Sequence, residues 1–92
     1  MEKKLTNERA IYTANAFFDD LLIMVDPDHQ MPLLRPQVED YRWEVMNLHG
    51  NPSTTLQLSG FVCALVVTGL LSDDQARDLM QRLTMGHESG WL

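Results

Sequence analysis

The residues of this chain that could do chemistry are few: three histidines, one cysteine, four serines and thirteen acids among 92 residues. His29, His49 and His87 stand far apart, and none is paired at a ligand spacing. A lone cysteine cannot complete a zinc site with them. Asp26-x-Asp28-x-Gln30 resembles the opening of a calcium loop. However, Met31 stands where the sharp turn needs glycine, and Gln37 where a bidentate glutamate belongs. A serine or cysteine nucleophile needs a base held beside it. Cys63 sits in the apolar run Phe61–Val67, with no basic neighbour to lower its pKa and a packing role as a small hydrophobe. Ser53, Ser59, Ser72 and Ser89 read as caps, a helix face and a tail. The adjacent pairs Asp19-Asp20 and Asp73-Asp74 diverge around a helix instead of converging, and five scattered glycines build no phosphate loop. No catalytic residue, metal ligand or cofactor is expected.

Binding is what remains. Asp19, Asp20, Asp26 and Asp28 form a local acidic run with no base inside it. As a bland feature it is a solvated face. As a site it docks a basic surface, steered by charge and weakened by salt. Trp91 is a large aromatic in a polar C-terminus, so it either folds back onto the core or anchors a partner or a second copy. Trp43 lies off the inner stripe of its helix and can serve the same purpose, together with Tyr41. These six residues, Asp19, Asp20, Asp26, Asp28, Trp43 and Trp91, are the candidate protein-binding set.

The elements that must carry them follow from apolar periodicity. Four helical patterns succeed one another, with no strand-like alternation. The first runs from about Asn7 to Val25, capped by Thr6 or Asn7 and stopped by Asp26-Pro27. Ile11, Ala14, Phe18, Leu21, Leu22 and Val25 fall on one face. The connection Asp26–Arg35 is long for a helical joint, and Met31, Leu33 and Leu34 are expected to pack it down. A second helix opens at Pro36 and ends at Gly50. Asn51-Pro52-Ser53 reads as a turn, and Thr54 with Gln57 as a capping box for a third helix, about residues 55–68. That helix is apolar nearly all round, which predicts a central element surrounded by the others. Gly69 ends it. Ser72 with Gln75 then opens a fourth helix that Gly86 stops, completing a C-terminal helical hairpin. The fold class is therefore all-α: a single four-helix domain over residues 1–92, with 1–6 and 87–92 as tails.

Composition sets limits. A net charge of −6 argues against direct binding to DNA or RNA, which needs clustered Lys and Arg, and against anionic membranes. The apolar stretch Leu56–Leu71 is broken by polar residues and falls short of the roughly twenty apolar residues of a span. No secretory signal is evident and no disulfide can form within the chain, so a cytoplasmic location is expected. A domain this small has a thin stability margin, which makes a homodimer plausible on physical grounds. Helices three and four have the order of a helix-turn-helix, but Ser72-Asp73-Asp74 would set two carboxylates against phosphates.

These features fit a small acidic interaction protein, an inhibitor, adaptor or regulator acting by covering a surface of another protein. In size, acidity and lack of a cofactor motif it is similar in type to phage- or mobile-element-encoded inhibitors of nucleic-acid-handling host enzymes. That is an analogy of type, not of motif. The alternatives are a dimeric accessory transcription regulator and, least favoured, a small enzyme.

Overall fold

Asn7 begins the first helix by accepting the Ala10 amide on its side-chain oxygen at 3.0 Å, which satisfies one of the donors a helix start leaves free. In the computed structural model, which describes residues 3–92, four helices follow: α1 (Glu8–Val25), α2 (Leu34–Asn47), α3 (Pro52–Val67) and α4 (Asp73–Met85). There is no strand among the described residues. The chain is an all-α, four-helix domain. α1 packs on α2 and α4, and α3 packs on α4 and α2. None of the described helices is long and apolar enough to cross a membrane.

Two helix starts differ from the sequence expectation. α2 begins two residues early, so Pro36 sits in its first turn, where a missing N–H is still harmless. α3 begins at Pro52, and its cap is Asn51, whose side chain accepts from Ser53 N at 3.0 Å. Asn at the cap with proline at the first helical position outranks the Thr54/Gln57 box. Thr54 is accordingly inside the helix and buried. The expected box at α4 is present, with Gln75 N donating to Ser72 Oγ at 3.1 Å and Ser72 N donating to Gln75 Oε1 at 3.0 Å.

Gly69 ends α3 with φ +81°. Leu70 N bonds Leu65 O at 2.8 Å and Gly69 N bonds Val66 O at 3.0 Å, the paired bonds of a Schellman closure. Leu71 is thereby turned into the core, and the chain doubles back into α4.

The expectation that α3 is enclosed does not hold. It buries one stripe, Thr54, Leu58, Val62 and Leu65, while Cys63, Ala64 and Val67 within the supposedly hidden Phe61–Val67 run face solvent. Its packing neighbours are α4 and α2, and they cover one side of it. An all-round apolar composition also carries no information about which side is turned in. The helix with most buried residues is α1, through Ala10, Ala14, Phe17, Phe18, Leu21 and Val25.

Neither described end is a loose tail. Leu5 is buried, its amide bonds Met46 O at 2.8 Å, and His49 N bonds Lys3 O at 2.8 Å. Met1 and Glu2, the start of the expected N-terminal tail, lie outside the described residues. At the other end Trp91 N and Leu92 N both bond Gly86 O at 3.1 Å. Trp91 is 1% exposed and its ring lies 5.0 Å from Phe17 and 6.2 Å from Phe18. A side chain added at Gly86 would press on the end of the Leu92 side chain, which would have to shift.

Candidate functional site

Arg42 organises the joint between α1 and α2. It donates from Nη1 to Asn15 Oδ1 at 3.0 Å and from Nη2 to Asp19 Oδ1 at 2.9 Å. Its guanidinium carbon lies 5.5 Å from the centre of the Phe18 ring, within the range of a cation–π contact. Its Nε stands 2.9 Å from Glu39 Oε1 but off hydrogen-bond alignment, so that contact is one of charge alone. The arginine is mostly covered and its two carboxylate partners are not.

This clamp fixes what stands outside it. Trp43 follows Arg42 by one residue, hence is turned by about 100° around α2 and into solvent, where it is 58% exposed. On α1, Tyr12, Asn15, Asp19 and Ile23 form one stripe at spacings of three and four. Tyr12 is 76% and Ile23 65% exposed. Trp43, Tyr12 and Ile23 thus flank the Arg42–Asp19–Glu39 cluster on the outer side of the α1–α2 pair. Beside Ile23 a shallow hollow is lined by Asp19, Leu22, Pro27, His29 and Arg35.

The six sequence candidates do not assemble as one patch. Asp19 and Trp43 share the outer α1–α2 face. Asp20 points the other way, to Arg82 of α4, whose Nη1 donates to it at 2.7 Å. Asp26 is buried. It accepts from Gln30 N at 2.6 Å, Met31 N at 3.2 Å and Arg35 Nε at 2.9 Å, while its carbonyl accepts from Arg35 Nη2 at 3.0 Å. Asp28 is exposed in the loop that Asp26 holds, next to His29 with φ +57°. Trp91 is core and has no free surface to offer a partner. The acidic run is therefore not free of bases: Arg42, Arg35 and Arg82 answer three of its four members from other parts of the chain.

Burial alone would raise the Asp26 pKa, but the two loop amides and Arg35 outweigh it and hold the carboxyl below its usual range. The group is a structural latch for the α1–α2 loop.

Sequence reasoning did not single out Tyr12 and Ile23 as exposed, because both lie on a generally apolar helix. It also misplaced Leu33, expected to pack inward and 84% exposed. The signal that could have found Tyr12 and Ile23 is their register. Both fall opposite the Ala14–Phe18–Leu21 stripe.

Among the described residues no group of three or more His, Cys, Asp or Glu side chains is placed to hold a metal ion. At the start of α4, Asp73 and Asp74 are exposed and Arg77 Nη1 pairs with Asp74 Oδ1 at 3.0 Å. Compared with known proteins, the chain matches no protein-family model, no curated protein and no solved structure.

Proposed function

We propose that the protein is an interaction module that acts as an inhibitor, adaptor or regulator by covering part of another protein, and that it does so with the outer face of α1 and α2. The carrying observation is the grouping of exposed Trp43, Tyr12 and Ile23 around a cluster whose only cation, Arg42, is largely covered. Aromatic anchors inside a polar rim are what interface hot spots are made of. The acids around them, Asp19, Glu39 and Asp40, and the net charge of −6 favour a partner with a basic surface. A nucleic-acid-handling protein is such a partner, and capping its basic surface would block its substrate.

The expected result is that Trp43→Ala weakens partner binding by about 2 kcal/mol, roughly thirtyfold. Stability should stay within about 0.5 kcal/mol because the side chain is mostly in water. The partner is first recovered by pull-down, then titrated against wild type and variant by calorimetry. Asp40→Lys should slow association at low salt and matter less at high salt. Wild-type affinity in both Trp43→Ala and Tyr12→Ala would remove this face from the reading.

A further inference from the structure

All thirteen acids and all seven bases of the chain lie outside Val45–Ser72, a stretch with no Asp, Glu, Lys or Arg. α3 occupies most of it. On the side of α3 turned from the core, Leu56, Gly60, Cys63 and Val67 recur at spacings of four, three and four, the seam of a two-helix coil. Leu56 is 74% and Val67 86% exposed. A side chain added at Gly60 would meet nothing within 4 Å, so the middle of the seam is open to close approach.

We propose that this seam is where a second copy of the chain docks, α3 against α3 in antiparallel fashion. Two features select an identical partner. First, the four-three-four spacing reads the same in both directions. A twofold axis midway between Gly60 and Cys63 sets Leu56 of one copy opposite Val67 of the other, and Gly60 opposite Cys63. A closed dimer requires that reciprocity. Second, two molecules each carrying −6 repel, and the neutral α3 side is where they can meet with their charged α1–α2 faces apart. A basic partner gains nothing from a surface without charge. At the Leu56 end the seam opens into a groove lined by Pro52, Thr55, Leu83 and Leu92, which receives the Val67 end of the other copy. The dimer leaves Trp43 and Tyr12 free, so each assembly presents two binding faces.

Sedimentation equilibrium over a concentration series tests this. Wild type should rise from 10.5 kDa to twice that mass. Val67→Glu should stay monomeric, its dissociation constant raised about 100-fold or more by carboxylates brought into an apolar contact, with an unchanged helical spectrum. Gly60→Glu should do the same. Trp43→Ala should dimerise like wild type, which separates this surface from the α1–α2 face. A short bismaleimide should join two wild-type chains through Cys63. A wild type that is monomeric up to millimolar concentration overturns the proposal. So does a Val67→Glu protein that dimerises normally, or loss of heterologous binding in that variant from a chain that never dimerises.

Discussion

Trp91→Ala should cost about 3–5 kcal/mol of folding stability, a large share of the 5–15 kcal/mol that a natural domain has in total. The indole is 1% exposed and packs on Phe17 and Phe18, which are themselves fully covered, so its removal opens a cavity against the most buried helix. It also loosens the last turn, which would then be held by its backbone bonds to Met85, Gly86 and His87 and by the His49–Gly90 contact at 3.0 Å. Urea unfolding followed by circular dichroism reads the loss as a lower midpoint. Trp91→Phe should recover part of it. A change below about 1 kcal/mol would show that the C-terminal residues cover the core without supporting it. Fluorescence gives an independent check, because Trp91 should emit as a dry indole and Trp43 as a wet one.

What the sequence made legible was local. Ser72 with Gln75 marks a helix start because both halves of the reciprocal bond lie within four residues, and Gly69 marks a stop because only a residue tolerant of positive φ fits there. Competing local signals were harder to rank. Thr54-x-x-Gln57 satisfies the capping pattern as well as Asn51-Pro52 does, and only the docking of Thr54 against the core separates them. That the candidate acids are paired and do not gather in one patch was hidden for a different reason. The acidic run looked unpaired because its partners are distant in sequence: Arg42 is 23 residues from Asp19 and Arg82 is 62 from Asp20. Trp91 was ambiguous because four polar or small neighbours precede it, and nothing local says that the chain turns back over Gly86. In α3 the composition was right and the inference from it was wrong. An apolar helix can be apolar because it is enclosed or because a second molecule covers it. Choosing between these requires knowing which sides of α3 its neighbours cover, and periodicity cannot show that in a helix apolar on every side.

Asp26→Asn should lower stability at neutral pH and flatten its dependence on acid pH. The carboxylate takes two loop amides and the Arg35 guanidinium at once. An amide side chain can accept on one atom only, so one loop N–H and the Arg35 charge lose their partner in a covered place. Because the folded-state pKa is depressed below 3.8, the unfolded chain binds the proton more readily than the folded one between those two values. The contribution of this latch is then fully present above about pH 4 and is lost as pH falls through the folded pKa. Wild type should lose stability over that acid window, and Asp26→Asn should lose less because its penalty has already been taken at neutral pH. The effect should concentrate on Pro27–Leu33, which amide hydrogen exchange resolves: Gln30 and Met31 should exchange faster in the variant while α3 and α4 keep their protection. Parallel pH profiles for the two proteins would show that Arg35 and the loop hold together without the carboxylate. Ile23 and the hollow beside it would then not depend on Asp26 for their shape.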